Sequence, residues 1–525
     1  LKTIILLLCL AQIALGQVSS ARLLRAEAEP GNWLTYSGNY QSHHSSLLTQ
    51  INTGNVGRLR PTWVYQSRDP GKFSTSPLAV DGVLYITERP NVVTALDGAT
   101  GRPLWSYQRA LPDDLRACCG AANRGLAILG DTLYLGTLDA HLVALDMRTG
   151  KVRWDVVVAD YKVGYAITVA PLAVKDKVIV GVAGGEYGIR GLLDAYDAKS
   201  GQRAWRFWTV PGPGEPGHET WAGESWKTGG APTWLTGSYD PELNLVYWTT
   251  GNPGPDYDGD ARAGDNLYAS SLVALDADTG KLKWHFQFTP HDVHDWDANQ
   301  TPVLVDGTVK GQPRKLVVLA NRNAFYYVLE RATGEFLSGV PFERQTWAQG
   351  LDARGRPIRV PDMLPTPEGK VVYPGVAGAT NWYSPSYSPQ TRLFYVAARA
   401  EGVTYFKTKS DYIVGEYFTS GGVKGIKGIE PSGSIKALEV ETGKLRWEFK
   451  LHSPPWAGLL STAGGVVFGG SNEGWFFALD ANSGKSLWRF PTGGPIYANP
   501  ISYLVDGKQQ VAIAAGNALF AFALD

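Results

Sequence analysis

Three observations predict an all-β protein, an eight-bladed β-propeller with tryptophans docked between its sheets. One segment recurs along the chain, its copies stand about one four-stranded sheet apart, and the composition favours turns and bulky aromatics, with Gly 61 and Trp 18. The first copy, residues 95–105, reads Ala-Leu-Asp-Gly-Ala-Thr-Gly-Arg-Pro-Leu-Trp, and residues 144–154, 195–205, 274–284, 437–447 and 478–488 repeat its outline. In each copy Ala-Leu-Asp ends a strand, the Asp and Thr-Gly form a tight turn, and a second strand opens at the Trp. The Gly permits the positive φ of the turn, and the Trp is large enough to wedge between neighbouring sheets. Residues 328–334 keep the turn and lose the Trp.

Trp105, Trp154 and Trp205 stand about 50 residues apart, a spacing that suits one blade. The wider gap before Trp284 holds an insertion around residues 211–230. The long interval before Trp447 has room for the weak copy and one further degenerate blade near residues 384–397. The stretch after Trp488, completed by an N-terminal strand near Trp63, brings the count to about eight. Both chain ends then meet in one blade, because a closed ring leaves no sheet edge exposed. The Pro/Gly-rich patches at 211–217 and 251–259 read as loops on one rim, and residues 31–525 as a single domain. Many such rings only bind other proteins, so the repeat alone does not imply catalysis.

Residues 1–16 read as an export signal: Lys2, an apolar run over 4–15 too short to span a membrane, and Ala14-Leu15-Gly16 as a small-x-small cleavage site. The expected mature chain starts near Gln17 with no membrane span, in the periplasm or a similar space where disulfides persist. Basic and acidic residues balance at 49 each without long runs, which argues against nucleic acid or an anionic membrane as the main partner.

The residues that carry chemistry lie between the repeats. Cys118 and Cys119 are adjacent. An oxidising compartment favours their joining, although neighbours are closer than disulfides prefer, and free thiols or pairing between chains are the alternatives. Closing almost no loop, such a bond adds little stability, so its value lies in a stiff sulfur surface or in redox chemistry. In residues 289–299, Thr-Pro-His-Asp-Val-His-Asp-Trp-Asp-Ala-Asn, an extended backbone turns Asp295 and Asp297 to one side, where both reach one cation or one reacting centre. An exposed Asp-rich turn is the plainer alternative. His291 and His294 fall on opposite faces of such a strand, which argues against a zinc or iron site. Glu186 in Gly184-Gly185-Glu186-Tyr187-Gly188, and Asn252 in Thr250-Gly251-Asn252-Pro253-Gly254, each set one oxygen-bearing side chain in a turn after a strand, and both suit a calcium-like ion. Trp226 stands outside the repeat beside a Gly pair, as core filling or as a stacking platform. Arg124 and Arg322 are forked donors suited to carboxylates or quinone oxygens, with surface ion pairs as the alternative.

With Cys-Cys…Asn-Arg-Gly, Gly-Glu-Tyr-Gly-Ile-Arg-Gly, Trp-Lys-Thr-Gly-Gly, Gly-Asn-Pro-Gly-Pro and Thr-Pro-His-Asp…Asp-Trp-Asp in this order, the chain resembles the pyrroloquinoline quinone (PQQ)-dependent alcohol dehydrogenases over roughly residues 31–525. The resemblance implies a Cys118–Cys119 disulfide on one face of PQQ and Trp226 on the other. It implies polar cofactor contacts from Arg124, Thr168, Asn381 and the Gly184-Gly185 backbone, with Trp456 near the quinone. Glu186 and Asn252 match the metal ligands, Asp295 the catalytic base, and Arg322 the arginine near the reactive carbonyl. Asp297 matches the second Asp of lanthanide-dependent members, and three acidic groups offset a trivalent ion better than a divalent one. A lanthanide is therefore expected, with calcium as runner-up.

Two departures stand out: Ser74 where many relatives place a Glu, for which Glu88 is the candidate substitute, and Ala183 where a Ser often precedes the Gly pair. The implied activity is oxidation of small primary alcohols, methanol or ethanol, with electrons passed to a soluble c-type cytochrome and a homodimer compatible with the family. No Cys-x-x-Cys-His occurs in this sequence, so haem is not covalently attached to it. The rival readings are a non-catalytic quinoprotein-like scaffold and a quinoprotein for sugars or larger alcohols.

Overall fold

The computed structural model describes residues 16–298 and 300–525. Residues 1–15, most of the expected export signal, lie outside the described residues. Among the described residues the architecture is all-β: seven four-stranded sheets, one five-stranded sheet, and two small sheets of two and three strands. Among the described residues the α-helix Ser20–Leu24 is a single turn or so, and no helix is long and apolar enough to cross a membrane.

The recurrent segment does in three dimensions what its composition requires. Asp97 Oδ1 accepts from the Ala99 and Thr100 amides and the Thr100 hydroxyl, while the Gly101 amide closes the turn on the Asp97 carbonyl. The same carboxylate-capped turn forms at Asp146, Asp197, Asp276 and Asp480. Six strand-borne tryptophans then reach the turn of the following sheet. Trp63 Nε1 donates to Gly98 O (3.1 Å), Trp105 to Met147 O (3.2 Å), Trp154 to Ala198 O (3.2 Å), Trp205 to Ala277 O (3.1 Å), Trp284 to Arg331 O (3.2 Å) and Trp447 to Ala481 O (3.0 Å). The turn glycine has a second duty beyond its φ of +70°. A Cβ on Gly150 would stand 2.5 Å from the Trp105 ring, and Gly101, Gly280, Gly334 and Gly484 are covered in the same way.

The weak copy explains itself. Ser338 occupies the register position opposite Val328 that Trp holds elsewhere, and Tyr326 takes over the docking, its hydroxyl donating to Val440 O at 2.8 Å above Gly443. The strand Leu59–Gln66 pairs with Ala518–Leu524, so the two ends of the chain share one sheet, which Phe476 and Trp488 of the preceding sheet join through Phe522. Contacts thus run from each sheet to the next and from the last to the first.

One expectation is corrected. Residues 384–397 do not make a separate blade: Ser386–Ser388 and Leu393–Ala400 form one sheet with Ser432–Glu439 and Leu445–Leu451. Two strands cannot cover a sheet-sized face. The copy at 437–447 supplies the missing pair, and the excursion between them adds Val403–Lys407 and Gly421–Gly425 to the small sheet begun by Lys370–Val372. The insertion near 230 and the loop near 253 are laced together, Ala231 N to Asn252 O (2.8 Å) and Gly254 N to Gly229 O (3.0 Å), so both border the same rim.

Candidate functional site

A cavity of about 460 Å³ opens among residues contributed by strand ends and inter-sheet loops from widely separated parts of the chain. Of the residues expected from sequence, Cys118, Cys119, Arg124, Thr168, Gly184, Glu186, Asp295, Asp297, Arg322, Asn381 and Trp456 all line it. Cys118 and Cys119 are joined as a disulfide, with Cα atoms 3.8 Å apart and Cys119 at a φ of +67°. Cys119 Sγ lies 3.9 Å from Glu186 Oε1, so the sulfur pair borders the acidic end of the cavity.

Arg124 is buried without a carboxylate partner among the described residues. One Nη1 bonds Thr168 Oγ1 (2.7 Å), its plane lies over the rings of Trp234 (4.6 Å) and Trp382 (4.9 Å), and its Nε has no acceptor. Burial lowers its pKa to about 10, the mark of a guanidinium in want of an anion. Asn381 is held by Nδ2 on Ala377 O (2.8 Å) and by its own Oδ1 accepting from Trp382 N. Trp456 carries the Arg399 guanidinium on its ring at 4.3 Å.

The Asp-rich segment reaches the cavity by a route other than the expected one. It is a loop, with His291 and Asp295 both in the left-handed region (φ +50° and +58°). Asp292 shapes it: one oxygen accepts from His294 N (3.0 Å) and the other from Trp296 N (2.7 Å). Trp296 is fully buried, stacked on His294 and donating to Gly375 O at 3.1 Å, and its two neighbours flank it into the cavity. His294 Nε2 bonds the carbonyl of Met363 and His291 Nδ1 that of Gly264.

Arg322 ties the pair together. Its Nη1 stands 3.0 Å from Asp297 Oδ2 and 3.6 Å from Asp295 Oδ1 and donates to Asp295 O at 2.8 Å, while its Nε has no acceptor. Burial works against its charge, but Asp297, Asp295 and Glu186 outweigh that and raise its pKa. The carboxylates are left in excess. Burial, then the Asp297 charge, pushes Glu186 up to about 7, and burial with the Asp256 and Asp297 charges holds Asp295 well above the usual carboxylate range. Such a cluster calls for a cation.

Three expected residues do not line the cavity. Gly185 and Asn252 stand directly behind it: Asn252 N donates to Asp297 Oδ1 (2.8 Å), and its Oδ1 is 3.6 Å from where a Gly185 Cβ would be. Trp226 is a correction. It packs in a satellite cluster with Val210, Trp221, Ala231 and Ala269, under Arg190 and edge-on to His218. Trp234 lines the cavity, as do Trp382 and Trp456, and its Nε1 donates to Asp297 Oδ2 at 3.2 Å. Thr233 delivers it: Thr233 N bonds Val182 O, and Thr233 Oγ1 accepts from Val182 N, so this segment runs beside the turn that carries Glu186. Two tryptophans flank the Gly229-Gly230 pair, and the one expected at the cavity from sequence does not line it, whereas the other does.

Glu88 is the second correction: its carboxylate is taken by Thr94 Oγ1 (2.6 Å) and Tyr65 Oη (3.0 Å), and Lys72 and Arg89 stand with Ser74 at the cavity instead. Asp256 was missed altogether. Sequence offered one signal, its place four residues past Asn252 in the same turn.

A cavity lined by a disulfide and indoles, with buried guanidinium donors without acceptors and an acidic corner, fits a planar polyanion with a cation at its edge. The comparisons agree. The model of the glucose/ethanol/alcohol dehydrogenase β-propeller domain matches residues 33–354, whereas that of the outer membrane protein assembly factor BamB matches residues 431–525 alone. The quinoprotein alcohol dehydrogenase PedH of Pseudomonas putida is 40% identical over 97% of this chain and 90% of its own length. The lanthanide-dependent methanol dehydrogenase of Methylacidiphilum fumariolicum is 37% identical over 96% of this chain and 88% of its own. Among solved structures, a europium-containing methanol dehydrogenase superposes with a TM-score of 0.91 at 34% identity, covering 96% of this chain and 100% of that one. This chain belongs to the PQQ-dependent alcohol dehydrogenases, a family of oxidoreductases.

Proposed function

We propose that this protein oxidises primary alcohols of the methanol and ethanol class with PQQ and one metal ion, a lanthanide in preference to calcium. The observation that carries the reading is the meeting, in one cavity, of a joined cysteine pair, an indole, an anion-hungry Arg124 and an acidic corner steadied by Arg322. When bound, the quinone supplies the hydride acceptor and the ion a Lewis acid.

The chain's own residues do the rest. Cys118–Cys119 and Trp234 hold the flat ring, Arg124, Thr168, Asn381 and the Gly184-Gly185 backbone hold its polar edge, and Trp456 covers it. Glu186, Asn252, Asp295 and Asp297 hold the ion. Asp295 takes the hydroxyl proton of the alcohol at its carboxylate as the carbinol hydrogen departs. Asp295 rather than Asp297 is the base because its side chain is the more open of the two, 17% exposed against 6%. Arg322 fixes its carbonyl and offsets its charge. The eight large sheets are read as eight blades of one ring, and residues 31–525 as one catalytic domain. The protein works in the periplasm and passes electrons to a soluble c-type cytochrome.

The test is reconstitution with PQQ plus lanthanum or calcium, followed by dye reduction with methanol and with ethanol. Turnover that needs both quinone and ion is expected. Absence of turnover with either ion, on any primary alcohol, would remove the reading.

A further inference from the structure

Four carboxylates, not three, surround the acidic corner. Asp256 is 1% exposed, and its Oδ1 accepts from Asn252 Nδ2 at 2.9 Å. That bond fixes the orientation of the amide: with Nδ2 turned back to Asp256, Asn252 Oδ1 faces the Gly185-Glu186 turn. Asp256 and Glu186 form no ion pair with any described residue, whereas Asp295 and Asp297 share Arg322. A buried carboxylate left so is held for a cation. Another buried cation, Arg262, makes no ion pair with Asp256: it donates to the carbonyls of Pro255 (3.0 Å), Asp256 (3.3 Å) and Asp292 (2.5 Å) and to Asn266 Oδ1 (2.9 Å), clamping the Asn252 loop to the Asp295 loop.

We infer that Asp256 is a positioning and ion-selectivity residue: it aims the Asn252 oxygen at the bound ion and supplies the fourth acidic group that matches the site to a trivalent rather than a divalent cation. Charge arithmetic gives the preference. Asp256 adds one negative charge to the set of Glu186, Asp295 and Asp297, and the attraction of that charge is half as large again for a trivalent ion as for a divalent one at the same distance. At separations of several ångströms in a partly shielded interior, one charge discriminates between the two ions by roughly tenfold to a hundredfold. This inference rests on the metal site proposed above.

The experiment measures binding, not turnover. PQQ-reconstituted wild type, Asp256→Asn and Glu186→Gln are loaded with Tb³⁺, whose luminescence is then competed away with La³⁺ or Ca²⁺. Asp256→Asn keeps an oxygen facing Asn252 and removes the charge, so the La³⁺-to-Ca²⁺ affinity ratio is expected to fall at least tenfold while the thermal midpoint of the metal-free protein does not fall. Asp256→Ala, which also frees the amide, is expected to weaken both ions. An Asp256→Asn ratio within twofold of wild type, with Glu186→Gln still losing the ion, overturns the role of Asp256 alone. Wild type that binds neither ion removes the metal site and this inference with it.

Discussion

The blade turns and the acidic corner are both built from aspartates in loops, yet they obey opposite rules. At Asp97 the carboxylate is spent locally, on the amides and hydroxyl of the next three residues, at the protein surface. Asp297 is buried and Asp295 half-buried; their carboxylates face partners as far as 63 residues away in the chain and are left with negative charge to spare. The first arrangement is a stability device whose energy is satisfied within five residues. The second stays costly until something positive arrives.

Substitutions should separate the two regions. Asp295→Asn is expected to lower turnover by roughly 10²–10⁴, the contribution of a positioned general base, with little change in melting temperature. Gly150→Ala should do the reverse. Its new methyl meets the Trp105 ring at 2.5 Å and its φ of +70° is unfavourable, so about 1–3 kcal/mol of stability should be lost, read by denaturant unfolding, with turnover per folded molecule retained. Equal loss of both properties in either variant would erase the distinction.

The two tryptophans that bracket Gly229-Gly230 sharpen the contrast. Trp234→Ala is expected to weaken PQQ binding by roughly tenfold to a hundredfold, the worth of about one aromatic face. Trp226→Ala should leave it within a few-fold, and quinone titration of the apoprotein by fluorescence quenching distinguishes them. The opposite ranking would restore the assignment read from sequence.

The smallest effect concerns pH. Glu186 holds its proton up to about pH 7 in the metal-free fold, against an ordinary value of 4.5, so the folded state retains a proton the unfolded state has released. Its contribution is therefore favourable at low pH and lost as pH rises through that window. Buried His44 and His294, held neutral, push the other way over an overlapping range. The difference between variants cancels them. Metal-free Glu186→Gln should match wild type near pH 4.5 and melt progressively higher than wild type toward pH 7.5. Saturating La³⁺ should reverse the order. A constant difference across pH would mean that Glu186 is ionised throughout.

How far the sequence could be read follows the same division. The Asp-x-x-Thr-Gly turn and its Trp were legible because every bond inside the turn is local and the docking repeats. Only the limits of one sheet were misread, at 384–397, where two strands needed a pair borrowed from beyond a long excursion. The vicinal cysteines, Glu186, Arg322 and the two aspartates stood out through the motifs around them, but Asp256 carries no motif, and nothing local distinguishes Trp226 from Trp234.

From the sequence alone came the all-β repeat, the turn and docking residues, and the family, with most of the expected residues lining one cavity. Short-range hydrogen bonds and spacing encode those directly. Only the folded ring decided which indole fronts the cavity, that Glu88 is satisfied elsewhere, and that a fourth carboxylate stands behind Asn252. Those outcomes depend on distances between segments far apart along the chain, which packing sets and no local pattern records.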